Sequence, residues 1–187
     1  MSEFSDSQLV SQYLKGDKKA LEVLIARYLK PVYGFIYTLT GETSEAEDLT
    51  QEVFIKMWKH LKSFKPDHNF KTWLFTIAKN TAIDYLRKKK AIPFSQFENE
   101  EGENLLMETL ADNSPLPDKI FEQADLANLL NTAIDKLPAR YKQILFLYFN
   151  EHFTFQEIAE IMNESINTVK SRQRRALISL KKLLTEQ

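Results

Sequence analysis

The chain has 187 residues, 43% of them hydrophobic, with 25 Lys+Arg against 26 Asp+Glu, four Gly and no Cys. Such a composition fits a folded globular chain and excludes collagen-like, wholly disordered and disulfide-stapled classes, thiolate metal sites and a Cys nucleophile. The first twenty residues lack an apolar stretch of signal-peptide length, and no run approaches the ~18 apolar residues of a membrane span. No leader, no membrane insertion and a reducing, cytoplasmic setting are therefore expected.

The near-zero net charge of −1 hides a partition. Residues 1–90 carry 15 basic and 11 acidic side chains, residues 91–125 carry one and nine, and residues 126–187 carry nine and six. The acidic middle also holds three of the six prolines, at 93, 115 and 117, so it cannot bury a competitive core. The expected fold is all-α: two small helical domains, 1–90 and 118–187, joined by an acidic flexible linker at 91–117. That linker reads either as a plain solvated tether or as a strand that follows a positively charged channel on a partner.

In chain order, helices are expected at about 6–15 and 17–40, the second kinked or restarted by Pro31 and ended by Gly41. Ser44-Glu45-Ala46-Glu47 has the form of a capping box, and Leu49, Val53, Met57 and Leu61 continue it as one apolar stripe, predicting a helix over 44–62. Asp48, Gln51, Glu52 and Glu45 fall together on its exposed first half. They either favour the helix dipole alone or form a docking face for a basic partner helix.

A loop over 63–70 leads to a helix over about 70–89. Around it, Lys56, Trp58, Lys59, Phe64, Lys65, Phe70, Lys71 and Trp73 interleave bases with aromatics, a pattern that suits unpaired nucleic acid because rings stack on bases and lysines follow the backbone. Trp58 and Trp73 taken singly read more readily as core. Asn80, Arg87 and Lys88 extend the basic surface along the helix.

After the linker, Leu126, Leu130, Ile134 and Leu137 form one stripe, and Pro138 opens a helix through Phe149. Thr154-Phe155-Gln156-Glu157 is a second capping box; its short helix should stop at Asn163, which tolerates the left-handed conformation, and Ser165 should cap a longer helix from Ile166 to about Leu184. Helix, short turn, longer helix is the helix-turn-helix plan. The longer helix offers Asn167, Thr168 and Ser171 as short polar readers, with Lys170, Arg172, Arg174, Arg175, Lys181 and Lys182 as an unrelieved positive face.

Glu47-Asp48-Leu49-Thr50-Gln51-Glu52-Val53-Phe54, Phe70-Lys71-Thr72-Trp73-Leu74-Phe75-Thr76-Ile77-Ala78-Lys79-Asn80 with Asp84-Tyr85-Leu86-Arg87, Leu137-Pro138 with Glu157-Ile158-Ala159, and Thr168-Val169-Lys170-Ser171-Arg172 follow one another in order. Together they resemble the extracytoplasmic function (ECF) subfamily of bacterial RNA polymerase sigma factors over nearly the whole chain. The resemblance implies a specificity subunit that docks on core RNA polymerase through Asp48, Gln51 and Glu52. It implies that the loop from Phe64 to Phe70, with Lys65, Lys71 and Trp73, holds an extruded base of the melted downstream promoter element, and that Asn80, Arg87 and Lys88 contact adjoining DNA. Asn167, Thr168, Lys170, Ser171, Arg172, Arg174 and Arg175 would hold the upstream element, and the linker would run through the polymerase.

Two positions depart from the family pattern: Asn163 replaces the usual turn Gly, and Gln173 and Arg174 stand where an apolar or aromatic residue is frequent. The chain ends at Gln187, so regulation is expected from a separate, membrane-associated anti-sigma factor. A helix-turn-helix repressor or activator that acts without polymerase is the alternative, and it leaves the aromatic-basic loop unaccounted for. A sigma-like decoy would show a degraded recognition helix. For an enzyme, His60, His68 and His152 lack metal-ligand spacing, and no Gly-rich phosphate loop or nucleophile elbow is present, so neither catalytic residues, metal nor cofactor are expected.

Overall fold

The protein's structure, a computed structural model, describes residues 4–65, 67–90 and 123–185. The segment expected to be a linker lies outside the described residues. All regular structure among those described is helical: α1 (Asp6–Leu14), α2 (Lys18–Thr40), α3 (Thr43–His60), a 3-10 turn at Leu61–Ser63, α4 (Phe70–Lys90), α5 (Gln123–Asp135), α6 (Ala139–Leu145) running into a π-helical turn at Phe146–Asn150, α7 (Phe155–Met162) and α8 (Ile166–Thr185).

Local chemistry sets most of these boundaries. Ser5 and Gln8 close a capping box on α1, a Ser-x-x-Gln signal that marks the start of the helix. Asp17 caps α2 by accepting from the Lys19 amide, and Gly41 ends that helix at φ 70°, where a side chain would be strained. Thr154 and Glu157 form the expected reciprocal box on α7, and Asn163 closes α7 in the left-handed region at φ 56° and ψ 48°. The Ser165 hydroxyl accepts from the Thr168 amide at 3.1 Å and so caps α8.

Three expectations need correction. The capping box at Ser44–Glu47 does not form: α3 starts at Thr43 behind Glu42, with no side-chain cap. The left-handed Gly41 turns the chain so tightly that Ser44 already lies inside the first helical turn. Pro31 does not restart α2, which runs on as one helix because Val32, Phe35 and Ile36 just beyond it are fully buried. The helix after Pro138 is not α-helical through Phe149; its last turn widens, the Glu151 amide reaching the Phe146 carbonyl at 3.1 Å.

α2, α3 and α4 pack against one another, and α1 lies on α2. There Asp6 accepts from Tyr28 and Arg27, a partly buried junction that fixes the helix pair. In the C-terminal unit α8 packs on α5, α6 and α7. The two units do not stand apart. α6 packs on α2 and α7 on α4, so a single cluster of buried side chains runs from Leu9 through Phe35 and Phe75 to Phe153, Ile161 and Val169. Each fully buried Phe or Leu in it contributes roughly 1.5–3 kcal/mol relative to exposure, so the shared core is a major part of the stability of both units.

Candidate nucleic-acid interface

α8 is positioned by its buried side. Val169 and Ala176 are fully enclosed, which turns Asn167, Lys170, Ser171, Arg174 and Arg175 outward to solvent. Thr168 is half-buried, its amide held by Ser165, and the Ser171 hydroxyl donates to the Thr168 carbonyl at 2.9 Å. Lys170 places its ammonium 5.9 Å from the Phe155 ring centroid. Arg172 differs from its neighbours: it donates to Glu164 at 2.7 Å and is mostly covered, which pins the turn to the helix. Glu164 also opposes the effect of burial on Lys79 of α4, whose ammonium is lowered from its ordinary value chiefly by desolvation.

The aromatic-basic segment is less open than its composition suggests. Phe64 and Phe70 are only 7% and 3% exposed and form a ring cluster with half-buried Trp73, the centroids 5.1–5.6 Å apart. Trp58, which reads as core from the sequence alone, is 52% exposed and donates its indole N–H to the Tyr13 hydroxyl at 2.7 Å. Lys65, Asn80 and Lys88 are exposed, and the Asn80 side-chain oxygen accepts from Lys79 at 3.3 Å. Arg87 is half-buried, 3.8 Å from Asp84. Lys71 is partly withdrawn from solvent, its side chain 27% exposed, and pairs with Glu151 at 2.9 Å.

On α3, burial of Leu49, Val53 and Met57 leaves Asp48, Gln51 and Glu52 exposed on the opposite side, with Glu52 2.8 Å from Lys56. Ile55 and Trp58 continue that face as exposed apolar residues. Glu45 does not belong to it. Its carboxylate is half-buried and accepts from Lys89, which holds Glu45 below its ordinary range and raises Lys89. Among the described residues no cluster of His, Asp or Glu is arranged to hold a metal, and no helix is long and apolar enough to cross a membrane.

The residues that sequence reasoning missed are those joining the units, Gly34, Asn69, Phe146, Glu151, Phe153 and Glu164, together with the second role of Glu157 as the partner of Asn69. The hydrogen bonds between the units link residues 80 and 88 positions apart, and no local pattern marks them.

Residues 24–92 match Sigma-70 region 2, and residues 127–180 match Sigma-70, region 4. Those two regions, in that order, define a sigma-70-type subunit of bacterial transcription initiation. The chain is 34% identical over 179 residues, 95% of each chain, to the ECF RNA polymerase sigma factor SigW of Bacillus subtilis. It is 33% identical over 180 residues, 94% of this chain and 93% of the other, to the ECF RNA polymerase sigma-E factor of Escherichia coli. Among solved structures, the sigma factor RpoE of Bartonella quintana, in complex with the anti-sigma factor NepR, aligns with a TM-score of 0.65 at 27% identity, over 89% of this chain and 98% of that one. The chain belongs to the ECF sigma factors.

Proposed function

We propose that this sigma factor reads the upstream promoter element with the exposed first turns of α8, through Asn167, Thr168, Lys170, Ser171, Arg174 and Arg175. Arg172 stiffens the turn that presents them and reaches DNA only if it leaves Glu164. The observation that carries this reading is the exposed set Lys170, Arg174 and Arg175 on α8, directly behind a capped helix and a left-handed turn at Asn163. The downstream element is held by Lys65, Trp73, Asn80, Arg87 and Lys88, with Lys71 joining once it is free. Phe64 and Phe70 support Trp73 through the ring cluster and stack on a base only where a ring face is uncovered.

Core RNA polymerase docks on the acidic side of α3, through Asp48, Gln51 and Glu52. The functional units are 1–90 and 118–187 with the acidic tether between them. The protein catalyses no reaction itself, acts in the cytoplasm and is held in check by an anti-sigma factor, as its Bartonella relative is found in complex with one.

The test is transcription in vitro with core polymerase, sheared genomic DNA and this protein present or absent, followed by sequencing of RNA 5′ ends. New start sites sharing a motif are expected. DNA binding without new starts would favour a repressor that works without polymerase.

A further inference from the structure

α1 lies ahead of the region 2 segment, which begins at residue 24, and carries none of the residues assigned above to polymerase or promoter. It is nevertheless fixed at both ends. A capping box at Ser5 starts it, Leu9 and Val10 are buried on its inner side, and Asp6 accepts from Arg27 and Tyr28 of α2. In its last turn the half-buried Tyr13 packs against the core, and its hydroxyl accepts the indole N–H of Trp58, 45 positions further on, at 2.7 Å.

That bond sets the orientation of a large ring at the surface. Trp58 is 52% and Ile55 51% exposed, and an indole left in water without a partner exchanges among rotamers. At spacings of three and four residues, Asp48, Gln51, Ile55 and Trp58 run down one side of α3, with Glu52 beside them. The first half of this side is acidic and polar, and the second half is apolar. Trp is among the side chains most enriched where binding energy concentrates, and ordering such an anchor in advance removes part of the entropy cost of association.

We propose that Tyr13 is a positioning residue for polymerase docking: it presets the Trp58 indole, which enters the interface as an apolar anchor beside Asp48, Gln51 and Glu52. The proposal rests on the reading that this side of α3 docks on core polymerase. The partner surface that fits carries cations opposite Asp48 and Glu52 and an apolar side chain opposite Ile55 and Trp58, about 15 Å further along at 1.5 Å per residue. The Tyr13 hydroxyl matters more in the complex than in the free chain. In the free chain the Trp58 N–H can turn to water if Tyr13 is removed, so little stability is lost. In the interface water is excluded, and an indole N–H without an acceptor is costly.

The test follows dissociation of the full chain from immobilised core RNA polymerase for the unmodified protein, Tyr13→Phe, Trp58→Phe and the double variant. Tyr13→Phe keeps the ring that packs on the core and loses only the hydroxyl. It is expected to bind at least about fivefold more weakly, with melting midpoint and circular dichroism unchanged. Trp58→Phe should lose at least as much, and the double variant should be no weaker than Trp58→Phe alone, because the N–H that needs the hydroxyl is gone. The chain has two tryptophans, so two indole N–H signals are expected by NMR; Trp58→Phe assigns one of them, and Tyr13→Phe should shift that same signal. Asp48→Lys with Glu52→Lys is measured alongside. If that pair leaves core binding intact, the docking reading falls and the role of Tyr13 with it. If the pair abolishes binding, the role of Tyr13 alone is overturned by any of three results: either single variant binding as tightly as the unmodified chain, Tyr13→Phe costing as much without the indole as with it, or an indole signal that does not move.

Discussion

At the scale of single residues, α8 contains two kinds of arginine that the sequence lists as equals. Arg175 is exposed, whereas Arg172 is held by Glu164. Arg175→Ala is expected to flatten the slope of log affinity against log salt by about 0.9 if it neutralises one phosphate, or to weaken binding by about 1–3 kcal/mol if it reads a base, without moving the melting midpoint. Arg172→Ala should instead lower stability by about 1 kcal/mol, since it strips the partner from a mostly covered carboxylate; parallel melts and gel shifts separate the two. Asn163, at φ 56°, supports the turn with one of the few residue types other than Gly that accept this region. Asn163→Gly should be neutral or slightly stabilising, and Asn163→Val should cost about 1–2 kcal/mol with loss of DNA binding, as read by urea midpoints.

Among elements, α3 and α1 carry the sharpest expectations. Asp48→Lys with Glu52→Lys reverses the charge of the α3 face without touching the buried Leu49–Val53–Met57 stripe. Co-purification with core polymerase should be lost with circular dichroism unchanged; retained co-purification would remove this face from the docking reading. The α1–α2 junction predicts a pH effect. Burial first, then the bond to Asp6, raises the Tyr28 phenol above its ordinary 10.0. The folded chain thus keeps this proton where the unfolded chain has lost it, so the contribution to stability is complete below pH 10 and declines as the pH climbs from there. Tyr28→Phe should lower stability by about 1 kcal/mol near neutrality and flatten the alkaline loss, seen as urea midpoints between pH 8 and 11. Both capping boxes that form, at Ser5 and Thr154, were written in the sequence. The one at Ser44 was overridden by the turn at Gly41, a competition between neighbouring signals that spacing alone cannot rank.

Over the whole molecule, the buried cluster that crosses from α2 and α4 into α6 and α7 should make the two units melt together. A single thermal transition is expected, with calorimetric and van't Hoff enthalpies in agreement and far- and near-ultraviolet signals coincident. Two resolved transitions would mean that each unit keeps its own core in solution. The outcome bears on regulation, because units that melt as one are also units whose separation has to be driven.

Helix content, the helix-turn-helix and its cationic face were decided by the sequence itself, since caps, left-handed turn residues and 3.6-residue apolar periods act over a few positions. So was the family, whose motifs are short contiguous strings in fixed order. Tertiary structure alone decided which of the candidate readers are presented: Lys71 and Arg172 are engaged by Glu151 and Glu164, Phe64 and Phe70 are enclosed, and Trp58 is left exposed. It also decided how the two units meet. Side chains far apart in the chain, such as Asn69 and Glu157 or Lys71 and Glu151, are matched only when both helical surfaces have formed and been brought face to face, and no local pattern encodes that pairing.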